Sequence, residues 1–283
     1  MWIVYAIISM LSSASRRIYD KHLTTHFSSV TLAFAMNIIP LIASATALFF
    51  LPLPLDLWNL PITFWAPLLI GCAIVYPVQV YLYLQAIRGG EVSSVAPLVT
   101  IVPVFNIVTS FIFLKESPTL IGFLGVLIIV FGVYLLLKKK GVKIKSRPEI
   151  LMIFSMALLA VSATLDKMAI DSSTLGWYLF MDCLVSTIAL LACVYINKQQ
   201  KEFRMIKSKM RHILIAGSLM AVTFITMELA FSLGHTSYVL AIRSGSFVLA
   251  SLWGIYKLKE AITTRKIVAL CLFIFGTLLL AFA

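Results

Sequence analysis

The sequence predicts an all-α membrane protein in which ten transmembrane helices form two five-helix halves of inverted topology. Of its 283 residues, 61% are hydrophobic and only 12% are charged, and the mean hydropathy is +1.03. Soluble domains carry about 25% charged residues, so this composition excludes an ordinary soluble fold. The apolar runs are unbroken, whereas the strands of a transmembrane β-barrel alternate between apolar and polar residues.

Ten apolar runs are long enough to cross the hydrocarbon core, which takes about 20 helical residues. Short polar stretches separate them, and we number the runs as spans in chain order. The predicted spans are 2–20, 29–51, 62–86, 91–114, 118–137, 149–170, 174–196, 211–233, 236–256 and 263–282.

The basic residues predict how the spans are oriented. Five loops that would share one side of the membrane hold 20 of the 23 Lys and Arg residues. The positive-inside rule makes that side the cytoplasm of a cell inner membrane, with both termini outside. We expect these loops to contact anionic lipid head groups and no nucleic acid. The five loops are 16–28, 87–90, 138–148, 197–211 and 257–266.

An internal repeat divides the spans into two sets of five. Residues 83–116 align without a gap onto 227–260, so that Leu-Lys-Glu at 114–116 matches Leu-Lys-Glu at 258–260. We predict a first repeat over 1–140, a basic linker over 141–148 and a second repeat over 149–283. Because five is odd, the second repeat is inverted, a plan found in secondary transporters with a substrate site near the midplane.

These repeats resemble a known family. The first carries GEVSSVAPLVTIVPVF, then FLKE, then SPTLIGFLGVLIIVFGVYLL, and the second carries HTSYVLAIRSGSFVLASLWGIYKLKE followed by IVALCLFIFGTLLLAF. The pattern resembles the ten-helix EamA-like members of the drug/metabolite transporter superfamily. The resemblance implies a central cavity walled mainly by spans 1, 3, 4, 6, 8 and 9, with spans 5 and 10 peripheral. It also implies transport of small metabolites, often export of amino acids or related compounds, and cytoplasmic termini, contrary to the charge count.

Three ionisable residues are predicted deep in the membrane, where each costs about 2.5–3.5 kcal/mol on insertion scales and by default marks a functional site. Asp182 lies in the seventh span, Glu228 in the eighth and Arg243 in the ninth. A structural ion-pair network and a substrate site remain equal alternatives for them. A carboxylate in low dielectric can also exchange a proton, so Glu228 is a candidate for proton coupling.

Polar residues in the third and fourth spans are further candidates. Tyr76, Gln79 and Tyr83 follow the i, i+3, i+7 spacing of one helix face, which would line the cavity or hydrogen-bond to a neighbouring helix. Pro77 in the same span predicts a kink. In the fourth span, Asn106 is a candidate for substrate binding in a helix loosened by prolines.

Charged residues near the span ends are interpreted as interfacial anchors and helix boundaries. Asp166, Lys167 and His235 are expected near the membrane surface. In LKESPT, Ser117 is the predicted N-cap of the fifth helix and Pro118 its first residue.

We therefore expect a secondary transporter that moves a small polar or amphipathic metabolite by alternating access. The first guess is export of amino acids or related compounds, with proton coupling or exchange left open. No metal site, cofactor or enzymatic activity is expected, because the catalytic motifs with a known mechanism are missing from the sequence. A flippase for a lipid-linked head group and a non-transporting membrane scaffold are the alternatives, and a homodimer is left open.

Overall fold

The computed structural model describes residues 1–23, 26–50, 57–89, 96–137, 147–246, 249 and 264–283. In these residues the chain is helical apart from short connections. We number ten elements α1–α10, two of which contain consecutive helical segments of different type. They are α1 (Trp2–Leu23), α2 (Ser29–Ala47), α3 (Ile62–Leu69, Ile70–Val75 and Tyr76–Gly89), α4 (Ala96–Ile101 and Val102–Phe113), α5 (Leu120–Leu137), α6 (Arg147–Asp171), α7 (Leu175–Ile196), α8 (Met210–Leu233), α9 (Thr236–Ser244) and α10 (Thr264–Ala281).

These elements match the ten predicted spans in order, and most of the described ends agree within about three residues. Five of the described helices are individually long and apolar enough to cross a membrane: α2, most of α3, α6, α7 and α8. Shorter apolar helices lie within α4, α5 and α10. The predicted all-α, polytopic architecture is confirmed. The N-terminal part of span 4, most of the second half of span 9 and the second Leu-Lys-Glu lie outside the described residues.

The third span is irregular near the predicted kink. A π-helical segment, Ile70–Val75, separates two α-helical segments and ends just before Pro77. Proline has no N–H and its ring crowds the preceding turn, so a regular α-helix cannot pass through it without a local change. The wider π turn provides that change, and such segments are frequent at functional sites.

The end of α4 explains the Leu-Lys-Glu motif at 114–116. Lys115 has φ 56°, a left-handed conformation that ends the helix, and the Glu116 N–H returns to the Ser110 carbonyl at 3.3 Å. The predicted start of the next helix is wrong. Thr119, rather than Ser117, is the N-cap, because its hydroxyl accepts the Gly122 N–H at 3.0 Å and α5 begins at Leu120.

The main helix pairs join one half of the chain to the other. Helix α1 packs on α8, and its counterpart α6 packs on α3 in the same way. Likewise, the contact of α1 with α9 corresponds to that of α6 with α4. The contact of α2 with α8 corresponds to that of α7 with α3. The pairs α2–α7, α4–α9 and α5–α10 are each formed by two equivalent helices. This exchange of partners is what a two-fold relation between the repeats produces, and it encloses the space between them.

Glycines bring α5 and α10 into close contact. A Cβ added at Gly276 would lie 2.6 Å from Ile129 Cγ1 and 2.9 Å from the Gly125 carbonyl oxygen. A Cβ at Gly125 would lie 3.1 Å from the Gly276 carbonyl oxygen. Small residues at such an interface let two backbones approach, which gains dispersion energy where the hydrophobic effect cannot act.

The basic loop between α7 and α8 contains the short helix Phe203–Ser208. The Ser28 N–H donates to Glu202 Oε2 at 2.8 Å, and the Ser28 hydroxyl donates to Gln199 Oε1 at 2.7 Å. The loop is therefore fixed to the start of α2, in the other half of the chain. Lys201 remains exposed on its outer side. Contact with anionic lipids stays a prediction.

The α5–α10 contact predicts that substitutions at two neighbouring positions of α10 differ strongly in their effect on thermal stability. Gly276→Val forces side-chain atoms into Ile129 and the Gly125 backbone, and overpacking of this kind costs about 1–3 kcal/mol. We expect a clear loss of thermal stability in detergent micelles, followed by intrinsic fluorescence. Leu278→Ala, on the same helix but 54% exposed, should change the unfolding temperature little. Equal losses in the two variants would contradict the assigned interface.

Candidate functional site

Three carboxylates from the second half of the chain lie close together inside the helical assembly. They belong to Asp166 on α6, Asp182 on α7 and Glu228 on α8, and the charges of all three interact. We call them the acidic cluster. Each lies five to seven residues from the nearer end of its helix, or about 8–10 Å at 1.5 Å per residue. The cluster is thus well inside the membrane span.

The position of Asp166 corrects the sequence interpretation. Its place near the end of the sixth span predicted a surface anchor, but its carboxylate interacts with Asp182 and Glu228 inside the assembly. The physical reason is the close approach of α3 and α6. Gly71 in the π segment lies against α6, and a Cβ there would be only 3.8 Å from Asp166 Oδ1. The adjacent Lys167 pairs instead with Asp171, one turn further along α6, at 2.8 Å.

The π segment also reaches Asp182. The Cys72 thiol donates to Asp182 Oδ1 at 2.8 Å, which links α3 to α7. Asp166 and Asp182 are surrounded by protein, yet each keeps part of its surface solvent-accessible. Both carboxylates lie beside the π segment of α3, where helices of the two halves meet.

Tyr178 is a site residue that the sequence interpretation missed. It is 1% exposed, and its hydroxyl contacts Asp166 and Asp182 without forming a well-aligned hydrogen bond. A buried hydroxyl usually has a good partner, so this one is unusual. A signal was present, because Tyr178 and Asp182 are four residues apart and share a helix face. Nothing in the sequence pointed to Asp166 as their neighbour.

Glu228 is the most deeply buried member of the cluster. It is 0% exposed, and neither of its carboxylate oxygens makes a hydrogen bond to another described residue. The charge of Arg243 on α9 acts on it favourably. Asp182, Glu228 and Arg243, predicted from three separate spans, are thus brought into one region. A buried carboxylate without a hydrogen bond is energetically costly, which distinguishes Glu228 from the hydrogen-bonded polar residues.

The three candidates of the third span have different surroundings. Gln79 is buried and its amide donates to Ser155 Oγ on α6 at 3.1 Å, while the Ser155 hydroxyl donates to the Gln79 carbonyl at 2.9 Å. This contact is a hydrogen bond between helices, which was the alternative to a cavity-lining position for Gln79. Tyr76 is partly accessible and interacts with Arg16 and Asp182, whereas Tyr83 packs against the main apolar core.

Asn106 joins three helices through its side-chain amide. Its Nδ2 group donates to the Ala160 carbonyl at 3.0 Å and to Thr164 Oγ1 at 3.1 Å, both on α6. Its Oδ1 atom accepts from Thr236 on α9 at 2.7 Å and from Ser110 on α4 at 3.3 Å. With all its bonding capacity used, Asn106 connects α4, α6 and α9.

At one end of the helices, the two halves contact each other through five residues that we call the end seal: Trp2, Glu116, Thr119, His235 and Tyr238. His235 Nδ1 lies 3.3 Å from Glu116 Oε2, and the Tyr238 hydroxyl accepts the Thr119 N–H at 3.1 Å. The Tyr238 ring contacts the rings of His235 and Trp2, at centroid distances of 4.9 and 6.1 Å. The seal connects the α4–α5 loop to the start of α9, across the two halves.

Within the described residues, no group of three or more His, Cys, Asp or Glu side chains could hold a metal ion. The four cysteines, Cys72, Cys183, Cys193 and Cys271, are free thiols. The candidate site therefore consists of the acidic cluster, Arg243 and several aromatic side chains, and the end seal lies at one end of the same helices.

Comparison with known proteins assigns the family. The family model of the EamA-like transporter family matches the chain twice, over residues 1–138 and 146–282. A solved structure described only as "Crystal structure of protein" is 13% identical, with a TM-score of 0.75 over 98% of this chain and 95% of that chain. That similarity concerns the fold alone. No curated protein matches the sequence significantly. Since the two family matches together cover nearly the whole chain, this multi-pass membrane protein belongs to the EamA-like transporter family.

Proposed function

We propose that the protein is a secondary transporter of small polar or amphipathic metabolites that works by alternating access. The observation that carries the proposal is the acidic cluster, held with Arg243 between two halves that are sealed at one end. Ionisable groups placed at this depth are costly and mark substrate or ion pathways by default. A scaffold without transport would have no use for a buried Glu228 whose carboxylate oxygens have no hydrogen bond to a described residue.

The charges favour some substrates over others. Three carboxylates with one arginine repel a phosphate head group, which argues against the flippase alternative. They suit a zwitterion or a cation, whose positive group would offset the carboxylates. An amino acid or a related compound is therefore our first candidate, and export is the proposed direction. In this proposal Tyr76, Tyr83 and Asp182 face the substrate, while Gln79 and Asn106 hold the helices that form its site.

Alternating access requires the end seal to open and close. Its contacts join Glu116 in the first half to His235 in the second, so they must break when the halves separate at this end. The Asn106 network lies close to the seal, because Thr236 follows His235 directly in the chain. We propose that this network keeps α4 and α9 together while the seal is closed.

Glu228→Gln should uncouple proton movement from transport, because the amide cannot exchange a proton and Glu228 has no hydrogen bond to a described residue that would otherwise fix its charge state. The test uses proteoliposomes containing a pH-sensitive dye, to which a mixture of the twenty amino acids is added. We expect at least tenfold less proton flux, with counterflow of labelled amino acids retained.

The control for this experiment is Asp171→Asn, which removes a carboxylate that is 50% exposed at the end of α6 and should leave proton flux unchanged. Undiminished proton flux in Glu228→Gln would exclude Glu228 as the coupling residue. Loss of both proton flux and counterflow would instead assign Glu228 to substrate binding.

Glu116→Gln should weaken the end seal and make Cys72 more reactive. Cys72 is 2% exposed beside Asp182, so it reports on access to the cavity once the other three cysteines are replaced by alanine. A partly exposed ion pair contributes about 0.2–1 kcal/mol, which corresponds to at most about a fivefold faster reaction with a polar thiol reagent in nanodiscs. Mass spectrometry follows the labelling.

Lys167→Gln is the matched control for the seal, because it breaks an ion pair at the same end of the helices but within a single helix. Its Cys72 labelling rate should equal that of the parent protein. If Glu116→Gln also leaves the rate unchanged, the Glu116–His235 contact does not control access.

A further inference from the structure

The Tyr178 hydroxyl contacts the carboxylates of both Asp166 and Asp182, which interact with each other. We infer that these three side chains bind the primary ammonium group of the transported molecule, and we call them the ammonium site. This inference rests on the proposed transport function and names a chemical group that its substrate must carry. The evidence is the placement of the three groups, the unsatisfied hydroxyl of Tyr178 and the distribution of nearby charge.

The number of acceptors matches the ligand. A primary ammonium group has three N–H donors and no acceptor. Asp166 and Asp182 each provide carboxylate oxygens with about four acceptor positions, and Cys72 occupies only one of these on Asp182. The Tyr178 hydroxyl oxygen, in contact with both carboxylates, can accept the third N–H. Each of the three N–H donors of the ammonium group can therefore bond to one of the three side chains.

Tyr178 points to a ligand independently of the acidic residues. Its side chain is 1% exposed, and its hydroxyl makes no well-aligned hydrogen bond. Burying such a group without a good partner is energetically unfavourable. A ligand N–H placed between Tyr178 and the carboxylates would restore that interaction. A purely structural tyrosine would gain more from a direct bond to one carboxylate.

The negative charge of the nearby carboxylates favours a cationic ligand. The carboxylates of Asp166 and Asp182 repel one another, and Glu228 adds to the negative charge acting on Asp166 and Asp182. The nearest cation along α6, Lys167, is paired with Asp171 instead, and the charge of Arg243 acts on Glu228. An ammonium group between the two aspartates would replace their repulsion by two charge-assisted hydrogen bonds.

Local geometry favours a small primary ammonium group over other cations. Gly71 keeps the α3 backbone close to Asp166, since even a Cβ there would be 3.8 Å from Oδ1. A quaternary ammonium has no N–H and is recognised by several aromatic faces, whereas this site is built of oxygen acceptors. A metal ion needs more ligands than the described residues bring together.

Binding of n-butylamine tests the inference without any need for transport. The full-length protein in nanodiscs of uncharged lipid is titrated at constant ionic strength, and the half-saturating concentration is read from the shift in thermal unfolding. We expect n-butylamine to bind at least tenfold more tightly than butyltrimethylammonium, and butyrate to have no effect. Asp166→Asn and Asp182→Asn should each weaken n-butylamine binding at least tenfold, and Tyr178→Phe about threefold or more.

Asp171→Asn is the control, because it removes a nearby exposed carboxylate that does not belong to the ammonium site. Equal binding of the primary and quaternary amines, no binding of either, or wild-type binding by Tyr178→Phe and both aspartate variants would overturn the inference. Should an aspartate variant fail to fold, Tyr178→Phe and the comparison of the two amines decide the question alone.

Transport is then measured separately, so that a failure of the proposed transport function can be distinguished from a failure of the ammonium site. Selective n-butylamine binding without flux of any amino acid or amine in proteoliposomes would reject the proposed function and keep the ammonium site. Flux of substrates that lack an amine, with no n-butylamine binding, would keep the transporter and reject the ammonium site.

Discussion

The architecture depends on one constraint: charged and polar groups inside a membrane must be shielded from hydrocarbon by protein. Neither repeat can do this alone, because α1 packs on α8 and α3 packs on α6. The acidic cluster comes from α6, α7 and α8, yet α3 of the other repeat covers Asp166 through Gly71 and bonds Asp182 through Cys72. The same exchange of helices that buries the carboxylates also places them at the contact between the two halves.

Buried polar residues of this fold divide into two groups by how well they are satisfied. Asn106 uses all its donors and acceptors to join three helices, and Gln79 bonds to α6. Both are explained by helix packing alone. Glu228 and Tyr178 are as deeply buried but lack well-formed hydrogen bonds to described residues. That difference sets apart Glu228, proposed to exchange a proton, and Tyr178, proposed to contact the ligand, from the polar residues that only join helices.

Hydropathy and the internal repeat were sufficient to predict the helices, since both depend on the order of residues along the chain. Which helices touch was not predictable in the same way. Asp166 looked like a surface anchor because it is near a helix end, and only the packing of α3 on α6 shows that it faces Asp182. The N-cap was misassigned because Thr119 competes with Ser117, and its N–H bonds to Tyr238 from the other half. A contact with a residue so far away in the chain cannot be predicted from the sequence around Thr119.

The internal repeat of the sequence does not reproduce every contact between the halves. The end seal places Glu116 beside His235, with His235 Nδ1 3.3 Å from Glu116 Oε2. The residues related to them by the 144-residue offset are Glu260 and Glu91, which lie outside the described residues. The offset therefore keeps the glutamate and replaces the histidine by a second glutamate. Helix order and packing follow from the repeat, whereas the acid–histidine contact depends on residues that differ between the two halves, so the fold and the chemistry of the end seal are specified by different parts of the sequence.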